Sequence, residues 1–136
     1  GTSKDTAPAV ASDPTAITKD NVASRDSKQI DAYIKKNANS TSQDTIIVVA
    51  KGYEAKGDYN AALDKYKQAA TSVSATDYSF YNDYALVAAR AGKPDLAIQL
   101  YEKAKTALAS SSIDENSKKN ETNMINIRID LVKNPE

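Results

Sequence analysis

Four residues recur at one fixed offset, and no other feature of the chain restricts its fold as strongly. Gly57, Ala62, Tyr66 and Ala69 are answered by Gly92, Ala97, Tyr101 and Ala104, each 35 positions further on. Upstream of the glycines the register continues, with Ile46 against Tyr81, Val49 against Tyr84 and Ala50 against Ala85. In an alanine-rich chain one such coincidence carries little. A glycine, a tyrosine and two alanines in a single register mark an internal repeat. Units of this length leave an apolar face that the next unit must cover, so they stack.

Within each unit the apolar residues follow a helical period. Ile46, Val49, Ala50 and Tyr53 share a face over 44–56, and Ala62, Tyr66, Ala69 and Ala70 share one over 59–73. Residues 77–91 repeat the first pattern, and Ala97, Leu100, Tyr101, Ala104 and Leu108 line the helix after it. Gly57 and Gly92 sit where a helix ends in left-handed backbone. Asp58 can cap the helix that follows, and Pro94 occupies a first helical position, where a missing N–H costs nothing. Ala50, Ala62, Ala85 and Ala97 let paired helices approach closely, while Tyr53, Tyr66 and Tyr101 fill the wider gaps beside them. Gly52 inside a helix reads the same way, as room for a neighbour.

The flanks are less regular. Residues 1–25 hold two of the four prolines and no aromatic residue, too little apolar surface to offset roughly 1–2 kcal/mol of backbone entropy per residue. They read as a disordered tether or linker, with the helical domain spanning 26–136. Asp26 and Gln29 form a capping-box pattern ahead of Ile30, Tyr33 and Ile34, and Asp31 and Lys35 are spaced as an i, i+4 pair. Residues 124–132 alternate apolar and polar like a strand. Ser112-Ile113-Asp114-Glu115 reads as a capping box, however, and Asp114–Lys118 and Glu115–Lys119 as helical pairs, so 113–133 is expected to be one long helix. A lone strand would leave its backbone unpaired. Asn116, Asn120, Asn123 and Asn126 give that helix a polar face; Met124, Ile125, Ile127, Leu131 and Val132 give it a broad apolar one, for capping or for a partner.

Ala50-x-x-Tyr53, Gly57-Asp58-Tyr59 and Ala62-x-x-x-Tyr66-x-x-Ala69, then Gly92-Lys93-Pro94 and Ala97-x-x-x-Tyr101-x-x-Ala104, resemble the tetratricopeptide repeat. The resemblance covers residues 43–108, in two repeats at about 43–75 and 78–110. The family's tryptophan position holds Ile46 and then Tyr81, and the proline that closes each repeat is missing. The resemblance implies an all-α fold, a right-handed superhelix of helical hairpins, with terminal helices as caps. It also implies a concave groove lined by the first helix of each pair, at Asp44, Ile47, Lys51 and Glu54, then Ser79, Asn82, Leu86 and Arg90. Some family members clamp a peptide carboxylate there. Ile47 and Asp83 stand where such a clamp needs polar or basic groups, so carboxylate capture is not expected.

Eighteen basic and eighteen acidic residues give no net charge, hence no field to hold nucleic acid. No apolar run reaches the ~18 residues of a membrane span. Histidine and cysteine are absent, which removes the commonest general base, thiol nucleophiles and the favoured metal ligands. Asp58 with Asp64, or Asp77 with Asp83, read as caps and solvated faces rather than catalytic pairs. No enzyme, cofactor or metal site is expected. Of the eight tyrosines, Tyr81 and Tyr84 read as core, with part of the Tyr78–Phe80 cluster exposed as an aromatic anchor. The expected function is a protein-interaction module binding a peptide or domain through Ile47, Lys51, Glu54, Asn82, Leu86 and Arg90, the two cations meeting an acidic residue. The alternative is a structural spacer of a membrane-anchored envelope protein, and the tether slightly favours an exported, tethered location.

Overall fold

The computed structural model describes residues 16–74 and 76–135. Among them six α-helices follow one another: α1 (Ser27–Asn37), α2 (Gln43–Ala55), α3 (Tyr59–Ala69), α4 (Tyr78–Arg90), α5 (Pro94–Ala109) and α6 (Glu115–Lys133). Short 3-10 turns lie at Val22–Ser24 and Ala70–Ser72, and no strand is formed among the described residues. The class is all-α. The long final helix prevails over the strand that its alternating pattern suggested.

The helix starts are set by side chains. Asp26 Oδ1 accepts from the Gln29 amide at 2.8 Å while Gln29 Oε1 accepts from the Asp26 amide at 3.3 Å, the reciprocal box read from the sequence. Asp58 accepts from the Ala61 amide and Asp77 from the Phe80 amide. The final cap differs from expectation: Asp114, not Ser112, caps α6, accepting from the Ser117 amide at 2.8 Å and from its hydroxyl at 3.0 Å. Those two bonds hold the Asp114 carboxyl below the usual aspartate range. With both its oxygens engaged, Asp114 does not pair with Lys118, which instead reaches Glu115 and the Ala109 carbonyl. Asp31 likewise leaves Lys35 and pairs with Lys56, just past the end of α2, fastening α1 to its neighbour.

The two hairpins close alike. Gly57 (φ +80°) and Gly92 (φ +77°) are left-handed. In each turn the residue after the glycine donates to a carbonyl five positions back, Asp58 to Tyr53 and Lys93 to Ala88, both at 2.9 Å. This is the double-bonded glycine cap of a helix end. The most extensive contacts are those within the pairs α4–α5 and α2–α3, followed by α5 with α6 and α1 with α2. Ala50, Ala62, Ala85 and Ala97 are completely buried, so each pair touches through its alanines. Tyr66 and Tyr101 are buried beside them, and Tyr53 is half-buried.

One apolar core runs through both hairpins into α6, where Ile125 and Ile129 seal the end. A smaller cluster of Val22, Ile30 and Val48, backed by Ile17, Tyr33 and Ile34, joins α1 to α2. At that seam a methyl on Gly52 would lie 3.3 Å from Ile30 Cγ2, so this glycine is what lets α1 approach. Val22 extends the fold beyond its expected limit at Asp26: fully buried, it draws residues 16–25 onto α2. The remainder of the expected tether, residues 1–15, lies outside the described residues.

Two expectations about exposure are sharpened to single residues. Of the Tyr78–Phe80 cluster, Phe80 is the buried member. Its ring stands 5.4–5.9 Å from those of Tyr66, Tyr81 and Tyr84, where the two hairpins meet, and only Tyr78 is half-exposed. The apolar face of α6 is divided. Ile125 and Ile129 are buried against α5, whereas Met124, Ile127 and Leu131 are 44%, 51% and 59% exposed.

Candidate functional site

The residues expected to line the groove come together in pairs rather than as a free surface. α2 carries Ile47, Lys51 and Glu54 at helical spacing, and α4 brings Asp83 and Arg90 against them. Lys51 Nζ donates to Asp83 Oδ2 at 2.9 Å, and Arg90 Nη1 donates to Glu54 Oε2 at 3.0 Å. Both expected cations are thus engaged by acids of the same chain. Asp83, read from the sequence as an obstacle to a carboxylate clamp and as part of a solvated face, is the partner that neutralises Lys51. A lysine and an aspartate 32 positions apart give no sign of this until the repeat offset places their helices side by side.

Behind these pairs lies a layer of buried polar atoms. The Tyr66 hydroxyl is shut off from solvent and falls short of hydrogen-bond geometry with the nearby Glu54 carboxylate. Burial, with the negative charge of Glu54 and Asp83 adding to it, pushes its ionisation far above the ordinary tyrosine range. Burial also raises Glu54 above the usual glutamate range, against the opposing pull of Lys51 and Arg90. Asn82 Oδ1 is likewise buried without a partner. Ile47 is half-buried and Asp44 and Ser79 are exposed. Of the acids in the two candidate carboxylate pairs, Asp58 and Asp77 serve as caps and Asp83 as an ion-pair partner.

The N-terminal segment lies over the same side of α2. Lys19 borders two small clefts, one with Lys51, Glu54 and Arg90 and the other with Ile47, Lys51 and Asp83. The second holds only about 50 Å³. The first keeps about 230 Å³, so the chain's own N-terminal segment narrows this half of the expected groove without filling it.

Leu86 belongs to a different, more open region. Together with Ala89 of α4, Tyr101 of α5, and Arg128, Leu131 and Val132 of α6, it lines a groove of about 410 Å³. Leu86, Met124, Ile127 and Leu131 are the large hydrophobic side chains left exposed among the described residues, and all four fall on α4 and α6. The sequence placed Leu86 in the groove and the apolar stripe on the last helix, but not side by side. No helix of the described residues is long and apolar enough to cross a membrane. No protein-family model, curated protein or solved structure matches the chain.

Proposed function

We propose that the chain is a non-catalytic protein-interaction module, two tetratricopeptide-like hairpins with α1 and α6 as terminal caps, which holds a segment of a partner protein. One observation carries this reading: the exposed large apolar side chains gather on α4 and α6 and include the two walls, Leu86 and Leu131, of one groove. Surface leucines scattered singly need no explanation, whereas a concentrated set beside a concavity points to a partner. Of the six residues expected to bind, Leu86 is the one the groove retains. Lys51, Glu54 and Arg90 act instead as links between hairpins, Ile47 lies beside Lys51 and Asp83, and Asn82 has its amide oxygen buried.

The comparison that tests this uses the full chain and its Leu86→Asp and Leu131→Asp variants, with matching circular dichroism melts, as bait in extract of the source organism. A protein retained by the wild type and lost with both variants supports the module. Equal retention, or none, favours the second reading, a rigid spacer or assembly domain. What speaks for the spacer is the pair of ion pairs that spend the groove's charges on stiffening the stack.

A further inference from the structure

We infer that the groove between α4, α5 and α6 receives a partner peptide whose large apolar side chains flank one acidic side chain, with Arg128 as the counter-charge. The inference rests on the interaction reading and adds the place and the chemistry of the occupant.

Arg128 is the observation that decides it. Its Nη1 is closed off from solvent and makes no hydrogen bond, and none of the ion pairs among the described residues includes it. Lys51 and Arg90, on the same side of the stack, are each matched with an acid. Arg128 as a whole is half-buried and borders the groove, so a carboxylate entering there meets a cation that no acid among the described residues holds, and charge-assisted hydrogen bonds favour that pairing. The surroundings of Arg128 define the rest of the ligand. Leu86 and Ala89 stand on one side, and Leu131 on the other, 37% and 59% exposed for the two leucines. The apolar stripe continues along α6 through Ile127 to Met124, seven residues or about 10 Å from Leu131 at ~1.5 Å per residue.

A purely apolar ligand would bury Arg128 further and leave it unpaired. A purely acidic one would leave the leucines in water. A free chain terminus would end at Arg128 and cover one wall only. An acid within a continuous apolar segment meets all three demands.

Short random peptides displayed with their C-termini tethered, so that no terminal carboxylate is offered, are selected on the full-length chain. The enriched pool is then tested in parallel on Leu131→Asp. The enriched peptides are expected to carry Asp or Glu between large apolar residues. Synthesised with both ends blocked, they should lose at least about tenfold in affinity when the acid becomes its amide. Against Arg128→Gln the acid and amide forms should bind alike. Leu131→Asp, a change at an exposed position that leaves the core intact, should abolish binding of both. Enriched peptides without an acid, or an acid replaced at no loss, would overturn the proposal. So would a concentration-dependent dimer dissolved by Leu131→Asp, which would give the groove to a second copy. Peptides that bind the wild type and Leu131→Asp equally would refute this site and keep the interaction module; failure of any peptide to enrich would remove both.

Discussion

Arg90 Nη1 donates to Glu54 Oε2 at 3.0 Å, joining the last turn of α4 to the last turn of α2 across 36 positions of sequence. The arginine side chain is 47% exposed and the glutamate 17%. A double-mutant cycle with Glu54→Ala and Arg90→Ala, read by urea denaturation, should give a coupling of about 0.2–1 kcal/mol. A coupling of zero would mean that the pair fastens nothing. The cycle also shows why charge reversal at Lys51 and Arg90 is a poor probe of binding: the new glutamates would face Asp83 and Glu54 within the chain itself.

Glu54 gives that seam a pH dependence. Burial holds its carboxyl above the ordinary 4.5, so the folded state binds this proton more tightly than the unfolded one. The sign follows: the contribution is favourable at low pH and is lost as pH rises through the window from 4.5 to the folded value. Glu54→Gln removes the titration. Relative to wild type, this variant should gain stability as the pH is raised from about 4 to 7, measured by thermal melts in a pH series. A constant difference across the series would refute it.

Tyr66 stacks on Tyr84, with ring centroids 5.4 Å apart and planes within 12°. Its ring belongs to the core, whereas its hydroxyl has no partner there. Tyr66→Phe should therefore leave stability unchanged or raise it, since no bond is lost and a buried polar atom is removed. Tyr66→Ala, which empties the fully buried site, should cost about 3–5 kcal/mol. A costly Tyr66→Phe would show that the hydroxyl is bonded in solution, with Glu54 the acceptor at hand.

The hairpins were legible because their information is local. A glycine, an aspartate cap and apolar residues at helical spacing decide α2 to α5 without reference to anything distant, and all five residues assigned to the face of α5 are buried. What the sequence hid was pairing between helices. Phe80 looks surplus on α4 until Tyr66 of α3 is set against it. Val22 looks too isolated to fold until Ile30 and Val48 offer a pocket. Ile125 and Ile129 differ from Ile127 only by their angle around α6, and the position of α5 selects between them. The charges of the expected groove fall under the same rule, since Asp83 and Glu54 claim Lys51 and Arg90 only once the hairpins are stacked.

Gly57 and Gly92 hold equivalent conformations, and nothing lies within 4 Å of where a methyl would be added at either. The cost of substitution is then the backbone alone. Gly57→Ala and Gly92→Ala should each cost about 1–2 kcal/mol, and Asn at the same positions less, because its side chain tolerates left-handed backbone. Chemical denaturation of the four variants checks both the size and the equality. Unequal costs would mean that the two turns are alike in geometry but not in support.

Ile129 and Leu131 lie two residues apart on α6 and separate its two roles. Ile129 is 5% exposed and joins the core formed with α5; Leu131 is 59% exposed and borders the open groove. Truncating the first removes packed atoms and leaves a void, so Ile129→Ala should cost about 2–5 kcal/mol. Truncating the second removes atoms already in water, and Leu131→Ala should stay within about 0.5 kcal/mol of wild type. Denaturation midpoints decide between them, provided the slopes agree. If Leu131→Ala destabilised as much as Ile129→Ala, the outer stripe would be part of the fold's own core, and no surface would be left over for a partner. A large cost at Ile129 beside a negligible one at Leu131 means that α6 seals the stack with one face while the other keeps its apolar side chains without structural need of them.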